Sequence, residues 1–270
     1  MSGRAEADLG QQNLAGRTAV VTGAARGIGR VIAVALARAG ADILLCARRP
    51  IELEPVMDEI AALGRRGVPC EVDLKVPEQV ARIAPIAQAE LGGLDILVNN
   101  SGVAGPSAPL WEIDPADWQE TLDVNLTGAF LCCRAVLPHM VAQHRGSIVL
   151  VGSITGKRPL LHRSPYAASK LGLVGLCRTL ALDAGPYGVR VNVISPGFVD
   201  GPRLDWVIGH QAAAQGRPES DVRSDLEHQA PLQRLVTASE VANAAVFLAG
   251  DGAGSITGVD LNVAAGAVMY

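Results

Sequence analysis

The chain has 270 residues, 49% hydrophobic and 19% charged, with aromatics at only 3% and a formal net charge of −4. That much apolar mass excludes disorder as the main state and leaves Ala, Val, Leu and Ile to build the core. The negative balance gives no basic face for a nucleic acid. Arg38, Asp42 and Arg48 cut the most apolar stretches, so no uninterrupted run of about 20 apolar residues suits a membrane.

Residues 1–13 are polar and lack an apolar signal-peptide core. They are expected to form a frayed tail on a cytoplasmic protein, ahead of one domain over 14–270. Cys46, Cys70, Cys132, Cys133 and Cys177 are odd in number and form no CxxC pair. That pattern fits small buried thiols in a reducing compartment and no metal site.

In chain order, short apolar runs alternate with helical stretches that end at glycine. A strand over 18–22 leads into a Gly-rich turn and a helix over 27–39, closed by Gly40. A second strand over 42–47 precedes a helix over 54–63. A third over 68–72 precedes a helix over 76–91, and a fourth spans 95–99. Helices over 117–143 and 165–184 flank a fifth strand at 147–151. A sixth covers 190–194, and a helix at 238–249 leads to a seventh at 258–263. Residues 198–230 break the rhythm, being polar with weaker helical signal. Such alternation predicts an α/β fold: a doubly wound domain with a parallel, seven-stranded sheet and helices on both faces.

The turn Thr22-Gly-Ala-Ala-Arg-Gly-Ile-Gly29 lies between the first strand and the first helix. Glycines there let a pyrophosphate approach the backbone, and the helix N-terminus offers it free N–H groups and positive charge. This makes Gly23, Arg26, Gly27, Ile28 and Gly29 candidate cofactor-binding residues. The end of the second strand, where an acid would hold a ribose 2′-hydroxyl, carries Ala47 and then Arg48 and Arg49. Arg48 and Arg26 suit a 2′-phosphate through charge-assisted bonds, favouring NADP(H) over NAD(H), the alternative. Arg49 is expected to be a solvated charge.

In Tyr166-Ala-Ala-Ser-Lys170, Tyr and Lys stand four residues apart and share one helix face. An ammonium beside a phenol favours the phenolate, so such a tyrosine can exchange a proton near neutral pH. Ser153, thirteen residues earlier, can hydrogen-bond a carbonyl without titrating. Asn125 is placed mid-helix, where asparagine is a poor helix former.

Together these motifs resemble the short-chain dehydrogenase/reductase family, in its 3-oxoacyl-carrier-protein-reductase-like branch. The likeness runs from about 14 to 263 through the glycine turn, Asp73, Asn99-Asn100-Ser101-Gly102, Asn125, Ser153 with Tyr166 and Lys170, and Pro196-Gly197. It implies a Rossmann domain with Tyr166 as general acid/base. Lys170 would tune the tyrosine and hold the nicotinamide ribose, Ser153 would orient the carbonyl, and Asn125 would hold a relay water. It also implies that Asp73 meets the adenine, with the Leu74 backbone nearby. Asn100, Ser101 and Gly102 would line the cofactor, and Pro196, Gly197 and Val199 would lie by the nicotinamide. Two positions depart from the family pattern: Ser101 stands where alanine is usual, and Gly201 where a threonine often holds the carboxamide.

The resemblance implies an NADP(H)-dependent carbonyl reductase or secondary alcohol dehydrogenase acting on a small molecule. An epimerase or dehydratase on the same scaffold, and a silent nucleotide-binding protein, are the alternatives. Segments 103–111, 155–162 and 198–230 would wall the substrate site, the last as a lid with Leu204 or Trp206 in the pocket. Lys157, Arg158, His162 and Arg163 are either an anion-reading cluster or a solvated loop. A homotetramer is expected, with the two long helices in one interface and the apolar C-terminus buried in another.

Overall fold

The computed structural model describes residues 13–270, so all of the expected tail but Asn13 lies outside the described residues. Seven strands form one sheet: β1 (Thr18–Thr22), β2 (Asp42–Ala47), β3 (Gly67–Glu71), β4 (Ile96–Asn99), β5 (Gly146–Val151), β6 (Val189–Pro196) and β7 (Asp260–Val263). Their order is β3-β2-β1-β4-β5-β6-β7, and every pairing is parallel. β1 is buried at all five positions and β5 at all six, as strands covered on both faces require.

One core layer joins Ile32, Leu36 and Val21 to Val241 and Leu248. These residues lie on α1 (Gly27–Arg38), β1 and a late helix at Ala238–Ala249. The opposite layer joins Val20, Leu97 and Leu150 to Ile83, Val136 and Leu173. The chain order reverses between β1 and β4, and in such sheets that reversal opens a crevice beyond the carboxyl ends of the strands.

The remaining helices are α2 (Glu54–Ala62), α3 (Pro77–Ala81), α4 (Ile83–Leu91), α5 (Pro115–Leu122), α6 (Gly128–Ala142), α7 (Ser164–Ala184), α8 (Pro202–Gln215), α9 (Glu219–His228) and α10 (Ala238–Ala249). Three differ from the sequence expectation. The helix expected over 76–91 is broken at Arg82, because Pro85 has no N–H for the Ala81 carbonyl and its ring crowds that oxygen. The helix expected over 117–143 runs from Pro115 to Ala142 with a π-helical turn, Asp123–Thr127, inside it. It is long and apolar enough by composition to cross a membrane, yet Ala129, Cys132, Val136 and Met140 pack into the second core layer.

Residues 198–230 form two good helices instead of a weakly helical segment. Leu204, Ile208 and Ala212 of α8 meet Val222 and Leu226 of α9 in a small core of their own. Their spacing of four keeps each set on one helix face. All five cysteines are buried and free, as expected.

Candidate active site

The turn after β1 is shaped by glycine. Gly23 and Gly27 have φ of +64° and +56°, which favour a residue without a side chain. A Cβ on Gly29 would overlap the Gly23 carbonyl oxygen and the Asn100 amide, so the helix packs directly on the turn. Thr22 Oγ1 accepts the N–H groups of Asn100 and Ser101 at 3.0 and 3.1 Å, and Asn100 Nδ2 donates to the Thr22 and Gly23 carbonyls at 3.0 and 3.3 Å. The Asn100 side chain is thereby committed to holding the turn. Arg26, the residue before α1, is extended and caps nothing with its side chain, so no side chain there occupies the N–H groups that open the helix.

Arg26 and Arg48 are exposed, and neither side chain forms a hydrogen bond or ion pair among the described residues. Arg49, by contrast, pairs with Glu52. Ala24 N–H donates to the Cys46 carbonyl at 3.2 Å, joining the turn to the end of β2 where Arg48 emerges. Asp73 Oδ1 accepts the Lys75 N–H at 2.9 Å. Leu74 is buried against Gly128, which leaves only its backbone for a ligand.

Tyr166 and Lys170 lie one turn apart on α7, with Lys170 Nζ 5.7 Å from the tyrosine ring centroid. Lys170 is 4% exposed and donates to the Val151 carbonyl at 2.8 Å, which aims its ammonium and leaves two hydrogens. Burial pushes the Lys170 ammonium below the usual lysine range. Burial alone would push the Tyr166 phenol up, but Lys170, Arg203, the Ser153 hydroxyl and Arg163 together outweigh it and hold the phenol below the usual tyrosine range. Ser153 Oγ accepts the Thr155 N–H at 3.1 Å.

Asn125 is buried inside the π-helical turn, not on an exposed helix face. Its Oδ1 accepts the Val103 N–H at 2.8 Å, and its Nδ2 donates to the Val103 carbonyl and to Ser169 Oγ, each at 3.1 Å. Both amide hydrogens are therefore used within the protein. A relay water must find a partner other than this side-chain N–H. A Cβ on Gly102 would come within 3.2 Å of Asn125 Oδ1 and 3.4 Å of Lys170 Nζ, so this glycine keeps the space between them open.

A glycine-shaped turn and a cation-flanked tyrosine thus lie on the two sides of the strand-order reversal. The family profile described as Enoyl-(Acyl carrier protein) reductase matches residues 23–268. The chain is a short-chain dehydrogenase/reductase. It is 38% identical to the cis-4-hydroxycyclohexanecarboxylate dehydrogenase of Sinomonas cyclohexanicum, over 93% of this chain and 96% of that one. Among solved structures it resembles carveol dehydrogenase from Mycobacterium avium in complex with NAD, with a TM-score of 0.90 and 34% identity over 95% and 99% of the two chains. It also resembles a variant of the actinorhodin polyketide ketoreductase with NADPH, with a TM-score of 0.89 and 32% identity over 94% and 98%.

In this dehydrogenase/reductase the backbone around the named residues is tied down. Gly197 N–H donates to the Val263 carbonyl at 2.9 Å, and Val199 bridges to Val236. Gly201, where the family often has threonine, has φ of +141°, a backbone path that strains any side-chain-bearing residue.

The run 157–163 does not act as one cluster. Lys157 pairs with Asp260 at 2.8 Å and also bonds Asn262, while Asp260 accepts Ser195 Oγ at 2.6 Å. Arg158 donates to Gln229. Arg163 is the member that turns to Tyr166, with Cζ 5.4 Å from the ring centroid. From α8 it is Arg203, not Leu204, that reaches the tyrosine, at 5.7 Å. Leu204 is spent in the α8–α9 core, and Trp206 is half-exposed and stacks on His210. No sequence motif marked Arg203, because its link to Tyr166 exists only in the folded chain.

Proposed function

We propose that this chain is an NADP(H)-dependent oxidoreductase interconverting a ketone and a secondary alcohol, with Tyr166 as the general acid/base. The observation that carries this is the placing of Tyr166 one helical turn from the buried Lys170, whose Nζ is 5.7 Å from the ring centroid and aimed by the Val151 carbonyl, an arrangement that favours the phenolate. A proton donor and acceptor must titrate near working pH to serve both directions.

The residues present fit a dinucleotide. The turn at Gly23, Arg26, Gly27, Ile28 and Gly29 would receive the pyrophosphate, and Asp73 and the Leu74 backbone would hold the adenine. Ser101 and Gly102, with Pro196, Gly197 and Val199, would line the cofactor on its way to Tyr166. Arg26 and Arg48, with no acid partner among the described residues, favour a 2′-phosphate. When bound, the nicotinamide supplies or accepts the hydride.

Ser153 uses a lone pair on Thr155, so its single hydrogen, turned to the Tyr166 phenol in the free protein, can pass to the substrate oxygen. Tyr166 gives that oxygen a proton during reduction and takes it back during oxidation. Lys170 favours the phenolate and offers its remaining hydrogens to a ribose hydroxyl. Asn125 holds the Val103 segment against α7 and keeps the pocket wall in place.

The NAD-bound relative keeps NAD(H) as the second reading for cofactor choice. Absorbance assays with NADPH and NADH against a panel of ketones separate the two. The proposal expects turnover with NADPH that Tyr166→Phe abolishes, and a loss of NADPH preference in Arg48→Ala. Turnover with NADH alone refutes the role given to Arg26 and Arg48.

Homotetramer assembly is part of the same proposal. Phe130, Leu137 and Val141 of α6 form an apolar groove with Leu176 and Leu180 of α7. The C-terminus is only partly left to an interface, since Ala264 and Val268 are buried within the chain while Met269 and Tyr270 are exposed. A clean monomer by sedimentation at micromolar concentration overturns this assignment.

A further inference from the structure

Three cations gather around one ring. Lys170 Nζ, Arg163 Cζ and Arg203 Cζ stand 5.7, 5.4 and 5.7 Å from the Tyr166 centroid. Lys170 comes from the catalytic helix and is buried there, aimed by its bond to the Val151 carbonyl. The two arginines come from elsewhere: Arg163 precedes α7, and Arg203 lies in the first turn of α8.

None of the three forms an ion pair with an acid among the described residues. The acids nearest Arg203 in sequence are Asp200 and Asp205. Both are taken by Arg223 of α9, which donates to Asp200 at 2.9 Å and pairs with Asp205 as well. Arg163 makes one hydrogen bond, to the Ala104 carbonyl at 2.9 Å, and Arg203 makes no side-chain hydrogen bond among the described residues. Burial pushes the Arg163 guanidinium down, and the nearby Arg203 charge adds to that push. Arg163 is partly buried and Arg203 is exposed, and two guanidiniums brought to one ring repel one another unless an anion joins them.

We propose that Arg163 and Arg203 form a carboxylate-binding site beside Tyr166, so that the substrate of this enzyme is an anionic ketone or hydroxy acid. A planar carboxylate matches two guanidinium forks and offers up to four acceptor positions, whereas a neutral ketone leaves both charges unanswered. The site rests on the oxidoreductase function proposed above for its substrate chemistry, but not for its ability to bind an anion.

A non-reacting probe isolates the anion site. Cyclohexanecarboxylate and cyclohexanecarboxamide share one shape and differ in charge. Each is titrated calorimetrically into the protein saturated with NADP(H). The site predicts at least about tenfold tighter binding of the carboxylate. That ratio falls toward one in Arg203→Gln and is partly kept in Arg203→Lys. Arg203 is the variant of choice because its side chain makes no hydrogen bond that folding depends on.

Turnover of 4-oxocyclohexanecarboxylate and of its methyl ester is measured alongside, and the acid-to-ester ratio of kcat/KM follows the same order. Equal binding of acid and amide overturns the site. So does the absence of saturable carboxylate binding up to roughly 10 mM, the range of the weakest specific affinities. A loss of NADPH affinity in Arg203→Gln with an unchanged carboxylate ratio assigns this arginine to the cofactor and overturns it too. Turnover that survives Tyr166→Phe while the carboxylate still binds defeats the catalytic proposal and leaves the anion site standing.

Discussion

The Ser153 hydroxyl oxygen accepts the backbone N–H of Thr155 at 3.1 Å. This fixes the side-chain rotamer and turns the hydroxyl into a donor, since the lone pair facing the backbone is already in use. Ser153→Ala is expected to lower kcat by about 10²- to 10³-fold, the range found when one donor to a developing oxyanion is lost. Thermal unfolding should register less than about 1 kcal/mol, the worth of a short cap. A stability loss that accounts for the activity loss would contradict this division.

Lys170 governs where Tyr166 titrates. Oxidation of an alcohol needs the phenolate, so its rate rises with pH until the phenol is ionised. In Lys170→Met the effect of burial, which pushes the phenol up, meets less opposition. The rising limb of kcat/KM for oxidation should then move to higher pH, with a loss of about 10²- to 10⁴-fold at neutral pH. A profile that keeps its position while its height falls would assign Lys170 to ribose binding alone.

Gly29 presses on the carbonyl of Gly23 and on Asn100. In Gly29→Ala the new methyl has backbone on one side, so the turn and α1 must separate. The expected cost is about 3 kcal/mol, seen as a fall in Tm of roughly 6–12 °C for a chain of this size. NADPH binding should weaken with it. Gly27→Ala meets open space and serves as the control for cofactor approach, its own cost being the +56° φ.

Glu240 closes a capping box with Thr237 at the start of α10. The Arg234 guanidinium, then the Thr237 N–H, hold its carboxyl at about 2. A carboxyl lowered on folding stabilises above its unfolded value and loses that contribution as pH falls through the folded one. Because the pair is more than a third exposed, the contribution should stay below about 1 kcal/mol. The gap in Tm between the wild-type protein and Glu240→Gln should therefore be present at pH 7 and close between about pH 5 and pH 2. A gap independent of pH would mean that packing, not charge, is at work.

The parallel seven-stranded sheet was legible because its central strands are runs of apolar, often β-branched residues between glycine turns, whereas the two edge strands, β3 with Pro69 and Glu71 and β7 with Asp260 and Asn262, are less apolar. Tyr166, Lys170 and Ser153 were legible because their chemistry is local to one helix and one strand end. The π-helical turn at Asp123–Thr127 was not, since Asn125 is stabilised there by Val103 and Ser169 and not by its sequence neighbours. Helices α8 and α9 could have been found from Leu204, Ile208 and Ala212 and from Val222 and Leu226, whose fourfold spacing is masked by the charges between them. The Lys157–Arg163 run left two readings open because adjacency in sequence says nothing about the β7 partners that claim Lys157 or about the turn of Arg163 toward Tyr166.

The stem of the α8–α9 segment is tied where Val199 bridges Val236. Asp200 N–H donates to the Val236 carbonyl at 2.8 Å, and Val236 N–H donates to the Phe198 carbonyl at 2.9 Å. The stretch between these points has its own small core and its own latch, Arg223 on Asp200 and Asp205. Residues that touch neither each other nor a shared partner change stability almost independently. A lineage can thus rewrite the interior of this tied loop, and with it the choice of molecule admitted to Tyr166, while the sheet that holds the proton-transfer groups is inherited unaltered.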